Sequence, residues 1–280
     1  MSRPARLEVA ALWVYPVKSC AGIEWPAGAA LAVSARGPAL DREWMVVDEA
    51  GRFVTQRDAP RLALVRCALE PGALVLGAPG APALRIPLSP QGAGRRVQCW
   101  AAACEALDQG EAAAGWFGAL LGAPRRLVRM APGFERVVDP ERSPARALTA
   151  FTDGYPFLVI GETSLADLNR RLAEPLPMNR FRPNLVVRGA AAYAEDGWRR
   201  LRGGGVEIEL VKPCDRCAVT TTDQATGARG PEPLATLARY RRVPGGVLFG
   251  QNGVHRGTGE LRVGDPIEVL EERPPPVFET

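Results

Sequence analysis

Short apolar runs separated by turn signals are the feature of this sequence that most restricts its fold. The runs have the length of strands and lie at residues 9–17, 44–47, 53–55, 62–69, 73–76, 95–99 and 126–129. Between the second and third runs, Gly51 follows Asp48-Glu49-Ala50 and predicts a hairpin in which glycine takes the positive φ. A helix is predicted at residues 110–121. Strands recurring at this spacing predict a mainly β chain with a few helices, in barrel-like modules.

A segment rich in proline, arginine and charge divides the chain near its middle. It covers residues 130–150 and contains the turn signals Pro132-Gly133, Asp139-Pro140 and Ser143-Pro144, which predict a linker or a mobile lid. Strand-like runs resume after it. We therefore predict four parts, which are an N-terminal β-barrel segment at 5–129, the linker or lid at 130–150, a second β domain at 151–272 and a loose tail at 273–280.

Two helices are expected in the second half of the chain. Thr163 or Ser164 has a side chain suited to cap the first, which continues through Leu172. Arginines near its end would complement the helix dipole. A second, short helix is expected from Pro233 to Tyr240, because proline is favoured at the first helical position.

The composition excludes several classes of protein. A chain of 280 residues with 46% hydrophobic and 24% charged residues can bury a sizeable core, as a soluble globular protein does. The net charge of +4 is spread along the sequence without a basic run, so nucleic acid is not an expected partner. We expect a cytoplasmic protein, because no signal peptide is recognisable and no apolar run approaches the roughly 20 residues of a membrane span. The six cysteines are then expected to be free thiols or ligands.

The most informative run for function is Cys214-Asp215-Arg216-Cys217, which follows a strand-like segment and Pro213. The cations Lys212 and Arg216 favour the ionised form of a neighbouring cysteine. The thiolate, rather than the thiol, is the nucleophile and the metal ligand. Threonines at residues 220–222 have hydroxyl and amide groups that can turn toward an anion. The run therefore predicts a thiolate site.

Three interpretations of the cysteine pair stay open on these residues alone. A structural zinc site needs further ligands, and the remaining candidates are Cys99, Cys104 and the only histidine, His255. A thioredoxin-like redox pair belongs at the start of a helix, whereas a β-branched run follows here. The third interpretation is a single thiolate bound to a metal that arrives inside an anionic cofactor. It requires phosphate-binding cations elsewhere in the chain.

Several stretches fall in the order found in one known family. They are Tyr15-Pro16-Val17-Lys18-Ser19-Cys20, Asp41-Arg42-Glu43-Trp44, Ser164-Leu165-Ala166-Asp167-Leu168-Asn169, Phe181-Arg182-Pro183-Asn184 and Cys214-Asp215-Arg216-Cys217. With these stretches the chain resembles MOSC-domain proteins that carry an N-terminal MOSC β-barrel segment. That family includes the mitochondrial amidoxime-reducing component and bacterial reductases of N-hydroxylated compounds. The resemblance covers nearly the whole chain.

The resemblance implies a molybdenum cofactor, in which a pyranopterin with a terminal phosphate (molybdopterin) holds molybdenum through a dithiolene. It implies that Cys217 is the protein ligand of the metal and the catalytic residue, and that Cys214 has no ligand role. It also implies a set of cofactor-binding positions, which are Lys18, Ser19, Arg42, Arg182, Asn184, Asp215 and Arg216. Lysine, arginine, hydroxyl and amide groups are the partners that a phosphate and a polar pterin require.

The activity implied by the resemblance is the reduction of N-hydroxylated compounds such as hydroxylamines and amidoximes, with molybdenum cycling between Mo(IV) and Mo(VI). Electrons would come from a separate flavin, haem or iron–sulfur protein, because no C-x4-C-x2-C run of a plant-type ferredoxin is present. Two alternatives keep the same fold. One is a sulfur carrier or sulfurtransferase with a persulfide on Cys214 or Cys217. The other is a non-catalytic carrier of the molybdenum cofactor.

One segment departs from the family pattern. Between Asp153 and Pro156 the related reductases carry small hydroxyl residues, whereas this chain has Gly154 and Tyr155. We therefore expect a different cofactor or substrate environment there, with core packing as the favoured role of Tyr155. Asp153 and Asp223 are candidate proton carriers, but a turn-capping or helix-terminal role is the expectation for both.

Overall fold

The structure is a computed structural model that describes residues 6–143 and 146–279. Residue 5 of the predicted N-terminal segment, Pro144 of a predicted turn and residue 280 of the tail lie outside the described residues. Strands predominate, and the described chain has three α-helices, Gly110–Leu121 (α1), Glu162–Arg171 (α2) and Leu234–Leu237 (α3). The prediction of a mainly β chain with a few helices is confirmed. No helix in these residues is long and apolar enough to cross a membrane.

The strands are short, as the sequence predicts. In chain order they are Glu8–Val14 (β1), Ile23–Glu24 (β2), Leu31–Ser34 (β3), Gly37–Pro38 (β4), Trp44–Val47 (β5), Arg66–Glu70 (β6), Ala73–Ala78 (β7), Ala81–Pro87 (β8), Gly94–Cys99 (β9), Ala102–Asp108 (β10), Arg126–Met130 (β11), Arg136–Val137 (β12), Leu148–Thr149 (β13), Phe157–Gly161 (β14), Leu185–Arg188 (β15), Trp198–Gly203 (β16), Val206–Asp215 (β17), Arg242–Val243 (β18), Gly246–Arg256 (β19), Gly259–Leu261 (β20) and Ile267–Glu272 (β21). Four 3₁₀ helices in the described chain are Pro60–Leu64, Met178–Arg180, Ala194–Gly197 and Ala218–Thr221.

The largest sheet has nine strands and joins the two ends of the chain. Its order is β2-β1-β15-β14-β19-β17-β16-β21, with β18 paired to β19. Strand β1 is antiparallel to β15, so that Val9 lies opposite Val187 and Leu12 opposite Leu185. These four side chains are buried in one core. The sheet β20-β3-β4 joins the halves in the same way. The predicted domain limits at 5–129 and 151–272 stay a prediction, since strands β1 and β3 pair with strands of the second half.

A smaller module is formed by the sheets β5-β11-β10-β9 and β6-β7-β8 together with α1. Helix α1 buries Ala113, Trp116 and Phe117 in the core that the module shares. Its limits, Gly110–Leu121, are those predicted, and it ends where Gly122 adopts the left-handed conformation with φ 69°. Glycine tolerates that conformation without a Cβ penalty, which explains why the helix stops there.

Two local predictions of the sequence are wrong. The run at 62–69 is not one strand, because Pro60 begins the 3₁₀ helix Pro60–Leu64 and only Arg66–Glu70 is extended. Neither Thr163 nor Ser164 caps α2, which begins at Glu162 after Gly161 without a side-chain cap. Both hydroxyls are drawn into tertiary contacts instead. Thr163 Oγ1 donates to the carbonyl of Ala190, and Ser164 Oγ donates to the buried Glu195 carboxylate.

The predicted linker at 130–150 contains an ordered ribbon. Strands β12 and β13 pair antiparallel, with Arg136 opposite Thr149 and Val137 opposite Leu148. The buried Arg136 guanidinium donates through Nη1 to the carbonyls of Ala150 and Thr152, at 2.8 Å each. The segment that leads into β14 is therefore held by hydrogen bonds to its main chain.

Candidate active site

Loops from both halves of the chain converge on one cavity. It lies where β17 ends and where the segments that precede β5, β14 and β15 approach one another. All eight predicted site residues line it, namely Lys18, Ser19, Arg42, Arg182, Asn184, Asp215, Arg216 and Cys217. Their assignment to cofactor binding stays a prediction, but the structure brings the complete set together.

The cysteine run is turned into the cavity by irregularities in β17. Its register against β19 shifts between Leu210 and Lys212 and again between Pro213 and Asp215. Proline has no N–H to give to a ladder, and a bulge is one of the few places where a sheet accepts it. Cys217 then stands directly before the 3₁₀ helix Ala218–Thr221. A strand end followed by one short 3₁₀ turn differs from the helix start that the thioredoxin-like alternative requires.

Arg57 contacts the sulfur of Cys217. Its Nη2 donates a hydrogen bond to Cys217 Sγ at 3.0 Å, and its guanidinium carbon lies 5.0 Å from the centre of the Trp100 ring. The contact holds the sulfur in a defined position at the cavity wall. Sequence reasoning missed Arg57, because a lone arginine in a loop before Pro60 carries no signal that separates it from a surface residue.

Cys214 has a different environment. Arg216 Nη1 donates to Cys214 Sγ at 3.0 Å, while Arg216 Nη2 donates to the carbonyl of Phe181 at 2.6 Å. Burial raises the pKa of the Cys214 thiol, and the nearby Arg216 charge only partly opposes this effect. The buried Nε of Arg216 has no hydrogen-bond partner among the described residues. One donor of this guanidinium therefore lacks a partner among the described residues.

Two guanidinium groups lie against the buried Tyr15 ring. The Arg42 carbon is 4.3 Å and the Arg182 carbon 4.2 Å from the ring centre. Arg42 Nη1 donates to both oxygens of the buried Asp41, at 2.8 and 2.6 Å. Arg182 Nη1 donates to the carbonyl of Cys20 at 2.6 Å. Burial, and then the charge of Arg42, lower the pKa of Arg182. An anion in the cavity would relieve this repulsion.

Three cavity residues have strained main-chain conformations. Of the six non-glycine residues with positive φ in the described chain, Ser19 (67°), Arg42 (49°) and Arg182 (58°) line the cavity. Left-handed backbone costs an L-residue about 1–2 kcal/mol. Such strain persists only where surrounding contacts enforce it, and it is concentrated at functional sites.

Lys18 and Asp153 form an ion pair at the cavity edge. Lys18 Nζ is 2.5 Å from Asp153 Oδ1 and 3.0 Å from the carbonyl oxygen of Phe151. Trp100 Nε1 donates to the same Asp153 oxygen at 3.3 Å. Desolvation opposes ionisation of Asp153, but the charge and hydrogen bond of Lys18 outweigh it and hold the pKa well below its usual range. Asp153 is therefore a carboxylate near neutral pH. The expectation that it caps a turn is wrong, because its carboxylate bonds to the side chains of Lys18 and Trp100 instead.

Comparison with known proteins identifies the fold family. Residues 6–124 match the MOSC N-terminal beta barrel domain, and residues 148–268 match the MOSC domain. This chain belongs to the MOSC-domain family. Mitochondrial amidoxime-reducing component 1 is 36% identical over 281 residues in Mus musculus and 37% over 280 in Homo sapiens, covering 94% of this chain and 82% of each relative. Mitochondrial amidoxime reducing component 2 of Bos taurus is 36% identical over 275 residues, 92% of this chain and 82% of its own. The predicted resemblance is confirmed.

The cavity of this MOSC-domain protein has an excess of positive charge. The five cations that line it are Lys18, Arg42, Arg57, Arg182 and Arg216. Three carboxylates oppose them. Asp153 and Asp215 line the cavity, and Asp41 is paired with Arg42. Two positive charges therefore remain uncompensated, which matches a phosphate group carrying about −1.5 to −2 near neutral pH.

Asn184 and Asp215 are both engaged with the main chain. Asn184 Oδ1 accepts from Leu158 N and from Arg42 Nη1, each at 3.2 Å, and its Nδ2 donates to the carbonyl of Trp13. Asp215 Oδ1 accepts from Val247 N at 3.1 Å. These contacts orient Arg42 and the cysteine loop.

Two of the three threonines after Cys217 do not present their hydroxyls as the sequence predicts. Thr220 Oγ1 donates to the carbonyl of Cys217, and Thr221 Oγ1 donates to that of Ala218. Asp223 caps the following turn, as expected, by accepting from Thr226 N at 2.8 Å. Its ion pair with Arg180 fixes the loop further. The Thr220 and Thr221 hydroxyls therefore build this MOSC-domain loop, whereas the buried Thr222 Oγ1 has no hydrogen-bond partner among the described residues.

Zinc binding by four cysteines is not supported. Cys99 and Cys104 are buried in the hydrophobic core of the smaller module, while Cys214 and Cys217 line the cavity. Over residues 6–143 and 146–279, no three His, Cys, Asp or Glu side chains are grouped so that they could hold a metal ion.

Proposed function

We propose that this MOSC-domain protein is a molybdenum-cofactor-dependent reductase of N-hydroxylated compounds. The proposal rests on the hydrogen bond from Arg57 Nη2 to Cys217 Sγ at 3.0 Å. This contact lies in a cavity lined by five cationic residues. Its relatives are named for amidoxime reduction, and they align with 92–94% of the chain. Hydroxylamines and amidoximes are therefore the substrate class that we infer.

The donor set fits a molybdopterin group. Lys18, Ser19, Arg42 and Arg182 would hold its phosphate, because two positive charges in the cavity lack a protein counter-charge and arginine binds phosphate through paired donors. Arg216 lines the same cavity and would add its positive charge beside the cysteine pair. Asn184 and Asp215 would position these cations and the cysteine loop. Cys217 would be the protein ligand of molybdenum.

When bound, the cofactor supplies two-electron redox chemistry, and the protein binds, orients and shields it. The overall reaction converts R–NHOH, two electrons and two protons into R–NH2 and water. The N–O bond breaks, and one N–H and one O–H bond form. Arg57 would fix the position of the Cys217 sulfur. The ionised Asp153 is able to accept a hydrogen bond from a substrate N–H group, but it cannot serve as a proton donor near neutral pH.

Electrons would come from a separate redox protein with a flavin, haem or iron–sulfur centre. Among the described residues that line the cavity, the redox-active side chains are the thiols of Cys214 and Cys217. A substrate assay therefore needs an added electron donor, either a reducing protein or a reduced viologen dye.

The test compares Cys217→Ser with Cys214→Ser after expression in a host that makes the cofactor. The wild type and Cys214→Ser are expected to reduce hydroxylamine and benzamidoxime, and Cys217→Ser to lose turnover while retaining pterin. N-hydroxy reduction that survives in Cys217→Ser would contradict the proposal. Sulfide release that depends on Cys217 would instead indicate the sulfurtransferase, and bound cofactor without turnover under any donor would indicate a carrier.

A further inference from the structure

Gly154 lies between two anchored residues at the cavity wall. On one side, Asp153 Oδ1 accepts from Lys18 Nζ at 2.5 Å and from Trp100 Nε1 at 3.3 Å. On the other side, Tyr155 is half-buried and packs against a small core that contains Val138. The expected packing role of Tyr155 is confirmed, and it also lines the cavity. The main chain at Gly154 is therefore fixed from both directions.

The residues before it are fixed as well. Lys18 Nζ donates to the carbonyl of Phe151 at 3.0 Å, and Phe151 N donates to the carbonyl of Arg42 at 2.9 Å. Arg136 Nη1 donates to the carbonyl of Thr152 at 2.8 Å. A backbone with this many bonds does not collapse into a neighbouring space, so the room beside Gly154 is preformed.

The backbone does not require a glycine at this position. The φ of Gly154 lies outside the left-handed region, and a Cβ built on it would meet no atom within 4 Å. Because Gly154 lines the cavity, the missing side chain leaves open space in the cavity wall. Asp153, the preceding residue, lines the same cavity, and its carboxylate is hydrogen-bonded to the exposed Trp100.

We propose that Gly154 determines the size of substrate that the cavity admits, and that it makes room for an aryl group on the N-hydroxylated compound. The inference deepens the proposed function and rests on it. An aryl amidoxime would place its N–H groups against Asp153 and its ring in the space beside Gly154. Hydroxylamine has no ring and makes no use of the space. A side chain at position 154 should therefore discriminate between the two substrates.

The first test is the ratio of kcat/KM for benzamidoxime to kcat/KM for hydroxylamine. In Gly154→Val we expect the benzamidoxime value to fall at least about tenfold, because a pocket that loses room for a substituent discriminates by about 10–200-fold. The hydroxylamine value should stay within about twofold of wild type. An unchanged ratio would overturn the proposal. Gly154→Ala should give an intermediate effect and replaces the valine variant if that protein does not fold.

Gly133→Val is the matched control. Gly133 also has a φ outside the left-handed region and free space around a built Cβ, but it does not line the cavity. Its substrate ratio should equal that of wild type. A shift as large as that of Gly154→Val would show a non-specific effect and contradict the assignment.

A binding measurement separates this inference from the reductase proposal. Benzamidine, the product of benzamidoxime reduction, is titrated into each purified protein by calorimetry or ligand-observed NMR. If wild type reduces neither substrate, the reductase proposal fails, and benzamidine binding alone decides the role of Gly154. Binding weakened about tenfold in Gly154→Val, with inorganic phosphate binding unchanged, would support it. No binding to wild type, or equal binding to the variant, would overturn it.

Discussion

Arg57 Nη2 donates a hydrogen bond to Cys217 Sγ at 3.0 Å, across 160 positions of the sequence. Arg57 lies in the loop before the 3₁₀ helix Pro60–Leu64, and Cys217 follows the end of β17 in the large sheet. The environment of the sulfur is therefore completed only when the two parts of the chain pack together. The Trp100 ring, 5.0 Å from the guanidinium carbon, supports this contact.

Replacing Arg57 by alanine should lower activity without unfolding the protein. The loss should be about 10–100-fold, the usual effect of removing a partner that orients a metal ligand, with Arg57→Lys intermediate. The measurement is kcat/KM for hydroxylamine together with molybdenum retained per chain. Arg61→Ala is the control, because Arg61 is exposed on the adjacent 3₁₀ helix and does not line the cavity. Equal values for Arg57→Ala and Arg61→Ala would show that the contact has no role.

The Lys18 and Asp153 ion pair should give a pH-dependent contribution to stability. The folded-state pKa of Asp153 is depressed, so its contribution is present above the ordinary carboxyl pKa of about 3.9 and is lost as the pH falls toward the folded value. Asp153→Asn leaves a buried ammonium without its counter-charge. Because Asp153 is partly exposed, we expect a loss of about 1 kcal/mol in unfolding free energy at pH 7.

Urea unfolding of wild type and Asp153→Asn at pH 7, 5 and 3 tests this expectation. The difference should be the same at pH 7 and 5 and smaller at pH 3. Glu70→Gln removes an exposed ion pair with Arg85 and should change stability by less than about 0.5 kcal/mol. A difference that grows on acidification would refute the sign of the Asp153 shift.

Much of the fold could be predicted because local chemistry determines it. Helix α1 has its predicted limits, since Gly122 ends it through its own left-handed conformation. The two cap predictions at Thr163 and Ser164 failed because tertiary partners, the carbonyl of Ala190 and the carboxylate of Glu195, compete for the hydroxyls. Pairing of β1 with β15 likewise depends on contacts between distant parts of the chain.

The candidate site was predictable where residues occur in ordered motifs and not where they stand alone. Lys18, Arg42 and Arg182 lie in such motifs, and the cavity contains all three. Arg57 and Trp100 have no motif, and their proximity to Cys217 and Lys18 arises only in the folded chain. The open space at Gly154 is also a three-dimensional property, because it depends on what surrounds the glycine.

Ser19 should show a trade-off between stability and cofactor retention. Its φ of 67° favours glycine, so Ser19→Gly should raise the free energy of unfolding by about 1 kcal/mol. Loss of the hydroxyl should at the same time lower the pterin content. Ser19→Ala removes the hydroxyl and keeps the strain, so it should lose pterin without gaining stability. Urea unfolding and pterin content per chain measure both quantities, and a Ser19→Gly protein no more stable than Ser19→Ala would contradict the strain argument.

Tyr15 should act through its ring rather than its hydroxyl. The hydroxyl is buried and has no hydrogen-bond partner in the described residues, while the Arg42 and Arg182 guanidinium groups both lie over the ring. Tyr15→Phe should therefore stabilise the protein by about 1 kcal/mol. Tyr15→Leu should destabilise it by about 2–4 kcal/mol, through lost packing and loss of the two cation–ring contacts. Equal thermal unfolding of the two variants would refute a role for the ring.

The central claim is that Cys217 binds the metal of a molybdenum cofactor, and metal and pterin content per chain tests it most directly. Wild type, Cys217→Ala and Cys214→Ala would be expressed in a host that makes the cofactor and analysed for both. We predict near-stoichiometric molybdenum in wild type and Cys214→Ala and loss of the metal in Cys217→Ala. Full metal content in Cys217→Ala, or a folded wild type with neither metal nor pterin, would contradict the account.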